Sequence, residues 1–119
     1  MKNSDFGSFV RTQREALLAE RAQFSLREVA RQIGVEPSYL SKVERGIEPP
    51  PSENRIRRLA DTLEVDPDVL LAMAGKVSQE LQEIIRKRPQ LFGELLRTLR
   101  DMPDHALVRV AREVRDGDW

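Results

Sequence analysis

Apolar residues recur at helical spacing along almost the whole chain, punctuated by glycines and prolines. Phe6, Phe9, Val10, Gln13 and Leu17 follow the i, i+3, i+4, i+7 rule with one polar member. They predict a first helix from about Asp5 to Ala22. A second helix opens at Ser25, where Ser-Leu-Arg-Glu is a capping box: the Ser25 hydroxyl reaches the Glu28 amide and Glu28 reaches back. Phe24 and Val29 flank that cap as a hydrophobic staple. The helix runs to Ile33, and Gly34 supplies the turn. Pro37 suits the first position of a third helix that ends before Gly46. After the stiff Pro49-Pro50-Pro51 run, Ser52 is the expected N-cap of a fourth helix, with Ile56, Leu59, Ala60 and Leu63 facing inward. Asp66-Pro67 caps a fifth, with Val65 and Leu70 as its staple, and this helix closes at Ala74-Gly75.

Beyond Gly75 the stripes are shorter. Leu81, Ile84 and Ile85 mark a helix that Pro89 interrupts, because proline cannot continue the backbone hydrogen bonds. Phe92, Leu95, Leu96 and Leu99 resume the spacing, as do Leu107, Val110, Ala111 and Val114 after Pro103. The expected fold is all-α. A five-helix unit over residues 1–75 precedes a helical segment over 76–119.

The stretch from Leu26 to Arg45 meets the steric demands of a tight helix-turn-helix. Ala30 is small where two helices must cross, and Gly34 tolerates the positive φ of the turn. Val29, Ile33, Val35, Leu40 and Val43 have the spacing of the apolar cluster that holds the interhelix angle. An ordinary αα-hairpin shares the periodicity, but seldom adds the alanine, the glycine, the capping box and the Gly46 stop together.

On these residues the chain resembles the Cro/CI-type, or XRE-like, helix-turn-helix regulators of bacteria and phages. The likeness spans about residues 5–75 and rests on SLREVARQIGV, PSYLSKVERG and LADTLEVDPDVLL. It implies a five-helix DNA-binding domain whose third helix enters the major groove, usually as a dimer on a two-fold-related operator. Carried over by position, Glu36, Pro37, Ser38 and Lys42 face bases. Lys42 can donate to guanine O6 or N7, Ser38 can pair with either kind of edge, and Pro37 offers only apolar contact. Glu36 either accepts from cytosine N4 or stays solvated. Such proteins often carry Ser and Gln where Glu36 and Pro37 stand. Tyr39 and Ser41 are better placed for phosphates, as are Arg27, Arg31, Arg45 and Arg55, each of which could equally be a solvated arginine. Arg14 and Glu44 resemble a structural ion pair tying the first helix to the third.

Composition narrows the field. With no cysteine there is no disulfide framework or thiolate metal site, and the longest apolar run, Val69 to Gly75, is too short to span a bilayer. No secretory signal is visible at the N-terminus, so a cytoplasmic location is expected. Twenty Lys or Arg balance twenty Asp or Glu, and neither segment is basic. That balance is unusual for a nucleic-acid binder. Several acids, however, already have local duties: Glu28 and Asp66 in caps, Glu44 in the ion pair. His105 has no second His or Cys to complete a zinc site, and no phosphate loop or serine elbow occurs, so neither an enzyme nor a cofactor is expected.

The C-terminal stripes have too few partners to fold alone. Two copies burying each other's stripes would make a homodimer and set the third helices one DNA turn apart, about 34 Å. Packing against the fifth helix is the alternative, and Trp119 is open to either a tail anchor or a free end. Similar repressors sit beside toxins or metallopeptidases, so the resemblance also implies a protein partner at this segment. The reading is thus a dimeric repressor of double-stranded DNA, with an antitoxin-like protein as the second reading.

Overall fold

The computed structural model describes residues 3–118, and Trp119 lies outside them. The described residues form eight α-helices and no strand: α1 Asn3–Leu18, α2 Leu26–Ile33, α3 Pro37–Glu44, α4 Glu53–Leu63, α5 Pro67–Met73, α6 Gln79–Lys87, α7 Pro89–Arg100 and α8 Asp104–Asp116. The chain is all-α, as its periodicity predicts.

Helix α1 stops at Leu18, one turn short of the expected Ala22. The chain instead turns through residues 19–21 and makes a 3-10 turn, Ala22–Phe24. Burial explains the early stop, since this turn places Phe24 in the core at 4% exposure. A straight continuation of α1 would follow the helix axis and could not bring Phe24 back.

Helix α2 begins as expected, with the Ser25 hydroxyl accepting from the Glu28 amide at 3.2 Å. The second half of the capping box does not form. Glu28 turns its carboxylate outward to Arg31, at 2.8 Å, because a charged donor one turn along outcompetes the Ser25 amide. At the other end Gly34 adopts φ 75° and ψ 36°, and the Val35 amide donates to the Ala30 carbonyl at 2.9 Å. This left-handed closure redirects the chain into α3 at small steric cost. Gly46 repeats the device after α3, with Ile47 donating to the Lys42 carbonyl at 2.8 Å. Ser52 stands at the N-cap of α4, but its hydroxyl makes no capping bond, unlike the Asp66 carboxylate, which accepts from Asp68 and Val69 amides.

The chain divides into two compact units, the first running through Ser78 and the second from Gln79. In the first, α1 packs on α3, α2 on α3 and α4, and α4 on α5. Phe6, Val10, Val29, Ala30, Ile33, Leu40, Val43, Ile56, Leu59, Leu63, Leu70 and Leu71 form one core. The polar member of the α1 stripe has a task there: Gln13 donates to the Leu63 carbonyl at 2.9 Å, satisfying an orphan acceptor at the end of α4. Gly7 is the close-approach point between α1 and α3. A Cβ on it would lie 2.2 Å from the Val43 carbonyl oxygen and 2.6 Å from that of Glu44. Lys76 Nζ donates to the Pro51 carbonyl at 2.9 Å and Ser78 is buried, so residues 76–78 belong to this unit. In the second unit α6 packs on α7, and none of residues 79–118 is buried.

Candidate nucleic-acid interface

The third helix is held from behind. Its inward residues are Leu40, Val43 and Glu44. Arg14 of α1 grips Glu44 with two parallel bonds, Nε to Oε2 at 2.7 Å and Nη2 to Oε1 at 3.0 Å, and gives its third donor group to the Phe24 carbonyl at 3.3 Å. Their side chains are 8% and 4% exposed. The hydrogen bonds to Glu44 raise the Arg14 pKa, outweighing the opposite effect of burial. All buried side-chain polar atoms among the described residues have partners, so the pair is fully satisfied. Its structural consequence is positional: α1, the 3-10 turn and the C-terminal end of α3 are locked at one point.

The remaining faces of α3 carry exposed Ser38, Lys42 and Arg45, half-buried Pro37, Tyr39 and Ser41, and exposed Glu36 just ahead of the helix. Pro37 takes the start of the helix, where its missing amide proton is no loss. Glu36 has extended backbone, φ −72° and ψ 143°, and its carboxylate makes no capping bond. Arg45 Nε donates back to the Ser41 carbonyl at 3.3 Å. Of the residues singled out in the sequence, Arg31, Glu36, Tyr39 and Arg55 come together, lining one open depression with Gly34 and Val35. Arg27, exposed on the first turn of α2, and Ser38, Ser41, Lys42 and Arg45 stand outside it.

Pairing sorts the charges that the overall count leaves undivided. Arg11, Arg14, Arg21, Arg31 and Arg57 each have a carboxylate partner, namely Glu15, Glu44, Glu64, Glu28 and Glu53. Arg31 is therefore partly committed, and its bond holds the Glu28 carboxyl below its usual pKa range. Among the described residues 25–58, Arg27, Lys42, Arg45, Arg55 and Arg58 have no carboxylate within 4.0 Å. Against these five stand only two uncommitted acids in the same stretch, Glu36 and Glu48. Residues 25–58, the helix-turn-helix and the start of α4, thus offer more unpaired cations than acids inside a neutral protein, and carrying the count to the end of α4 adds one acid, Asp61, against the same five cations.

Arg58 was not legible as part of this set. Its Nη1 lies 3.5 Å from where a Cβ on Gly34 would be, so α4 sends a guanidinium to the turn between α2 and α3. Arg55 and Arg58 also line a second depression with Ser52, Asn54 and Arg57. An i, i+3 pair of arginines on a predicted helix was the available signal.

Two helices set by a left-handed glycine, over a five-helix core and with the second helix's outward face free, define a helix-turn-helix domain. A family model described as a helix-turn-helix domain matches residues 5–73. The chain belongs to this XRE-like helix-turn-helix family. It is similar to two HTH-type transcriptional regulators of Mycobacterium tuberculosis, from strains CDC 1551 / Oshkosh and ATCC 25618 / H37Rv, both named as uncharacterized. Each is 43% identical over 69 residues, covering 58% of this chain and 45% of the relative. It is also 40% identical over 50 residues to the HTH-type transcriptional regulator SlrR of Bacillus subtilis strain 168, covering 42% of this chain and 33% of SlrR. The chain thus spans less than half the length of these curated relatives. No solved structure gives a significant match. Among the described residues no helix is long and apolar enough to cross a membrane.

Proposed function

We propose that this chain is a sequence-specific DNA-binding transcriptional regulator, a dimeric repressor that occludes a promoter by placing α3 in the major groove. The observation that carries the reading is the sorting of charge: the uncommitted cations of residues 25–58 lie on α2, α3, the residue closing α3, and α4. In this reading Glu36, Pro37, Ser38 and Lys42 face base edges. Arg27, Arg31, Tyr39, Ser41, Arg45 and Arg55 hold the sugar–phosphate backbone, which positions the helix without specifying sequence. Arg58 joins the backbone set. The Arg14–Glu44 pair and the Gly7 contact keep α3 at a fixed angle to the rest of the domain.

Dimerisation is supported by the second unit, whose Leu81, Ile84, Leu91, Leu95, Leu96, Val108 and Val114 are each at least 40% exposed. A unit this small, with no buried residue among those described, gains its core by association. A second copy is the occupant in our reading, because a two-fold operator needs two recognition helices. The same exposed residues support the alternative, an antitoxin-like protein whose C-terminal helices bind another protein while DNA binding serves autoregulation. The protein works without enzymatic activity or cofactor, in the cytoplasm.

Titration of labelled upstream DNA and of scrambled duplex at two salt concentrations tests the reading. We expect tight binding to one and weak binding to the other, both weakening as salt rises. Lys42→Ala should relax base preference by about 1–3 kcal/mol, whereas Arg27→Ala should weaken every sequence alike. Equal binding to both duplexes would end the repressor reading. Sedimentation of the full chain separates the two C-terminal readings: a dimer in isolation favours the first, a monomer the second.

A further inference from the structure

We propose that Glu36 reads a cytosine in each half-site, and that its carboxylate makes the chain reject DNA lacking that cytosine. The inference rests on the reading of α3 as the groove-entering helix and names what the residue at its N-cap recognises.

Glu36 stands immediately before α3, where an oxygen-bearing side chain commonly caps the helix, yet its carboxylate makes no such bond. It is exposed. Two guanidiniums line the same depression, but neither neutralises it. Arg31 is bonded to Glu28, and Arg55 has no carboxylate within 4.0 Å. A negative charge thus stands uncommitted at the leading end of the helix, among side chains otherwise suited to an anionic polymer.

When DNA arrives, that carboxylate must either accept a hydrogen bond or be desolvated without one, which is costly for a charge. Phosphates cannot supply the bond, since they are acceptors carrying the same sign. In the major groove only adenine N6 and cytosine N4 present donors. Adenine sets its N7 acceptor beside the N6 donor, so a carboxylate there faces an acceptor as well. Cytosine presents N4–H with no neighbouring acceptor on its own edge. The chemistry of an ionised acid therefore selects cytosine. At guanine and thymine Glu36 stays unpaired near phosphates, and at adenine its bond to N6 is offset by the N7 acceptor, which lowers affinity for random sequence.

The test is selection from a random duplex library with full-length wild type, Glu36→Gln and Glu36→Ala. An amide offers a donor and an acceptor and matches adenine N6 and N7. We expect the wild type to enrich a motif with cytosine at one position per half-site, Glu36→Gln to enrich adenine there, and Glu36→Ala to show no preference there. In titrations on the selected duplex and its cytosine-to-adenine counterpart, preference should reverse by about tenfold in each direction between wild type and Glu36→Gln. Both variants should bind random duplex more tightly than wild type. Since Glu36 makes no side-chain bond, both should melt with the wild type, and Glu36→Ala provides a second reading if the amide disturbs the helix start. If all three proteins enrich the same base, the proposal is overturned while the DNA-binding function stands. If the wild type enriches no motif at all, the function itself fails first, which is a distinguishable result.

Discussion

Replacing Gly7 by alanine is the sharpest test of how α3 is held. The new Cβ would sit 2.2 Å from the Val43 carbonyl oxygen and 2.6 Å from that of Glu44, and both oxygens are backbone. No rotamer change relieves such a clash. Restoring an ordinary contact requires α1 and the end of α3 to part by roughly 1 Å, and overpacking of this kind, against backbone that cannot turn aside, costs about 2–3 kcal/mol. Alanine would return at most about 1 kcal/mol through its better helix propensity, so the balance should remain destabilising by about 1–2 kcal/mol. For a domain of this size each kcal/mol moves the melting temperature by about 4–8 °C, giving an expected fall of roughly 5–15 °C. Thermal and urea unfolding followed by circular dichroism would read it, with Ser8→Ala, an exposed neighbour on the same helix, as the control that stays within about 0.5 kcal/mol. The separation also pulls Glu44 away from Arg14, so specific DNA affinity should drop at temperatures where the variant is still folded. A Gly7→Ala protein that melts at or above the wild type would refute the close-approach account.

Three further outcomes follow from the same geometry. Arg14→Ala or Glu44→Ala should each cost about 3–5 kcal/mol, because each leaves the other charge buried and unpaired, whereas Arg14→Met with Glu44→Leu should cost clearly less than the two singles summed; urea midpoints decide this. Arg58→Ala should weaken binding to all duplexes alike and reduce the slope of log K against log salt by about one, whereas Arg11→Ala, already paired with Glu15, should leave the slope unchanged. Glu28 has its folded-state pKa lowered by Arg31, so its contribution to stability is present above the usual carboxylate range and is lost as pH falls through the lowered value. The stability gap between wild type and Glu28→Gln should therefore be visible at neutral pH and close in acid; a gap that widens on acidification would contradict the pairing.

Much of the first unit was legible because its signals are local. Ser25, Gly34, Pro37, Gly46 and Asp66-Pro67 act through bonds and dihedral angles within a few residues of themselves, and the helices begin and end by them. The end of α1 departs from its periodicity because its cause is not local: burial of Phe24 demands a turn that no residue near Leu18 announces. Glu28 departs from the capping box for a related reason. Two bonds were open to the same carboxylate, and only side-chain placement selects Arg31. At the candidate interface the exposure of Lys42 and Arg27 follows from their places on α2 and α3, but the approach of Arg58 to the turn does not, since it depends on how α4 packs on α2.

The neutral charge count illustrates the division most clearly. The helical periodicity, the Ser25 and Asp66 caps, the glycine turn and therefore the helix-turn-helix are written in short stretches of residues, because each follows from backbone sterics and short-range hydrogen bonds. Which charges find partners depends instead on how the helices pack. Arg14 meets Glu44 thirty residues away, Arg21 meets Glu64, and Gln13 meets the end of α4 at a separation of fifty. Gly7 is required where two backbones touch. Such pairings are set by helix packing rather than by spacing along the chain, and Arg27, Lys42, Arg55 and Arg58 of α2, α3 and α4 are left without a carboxylate partner in a protein whose total charge is zero.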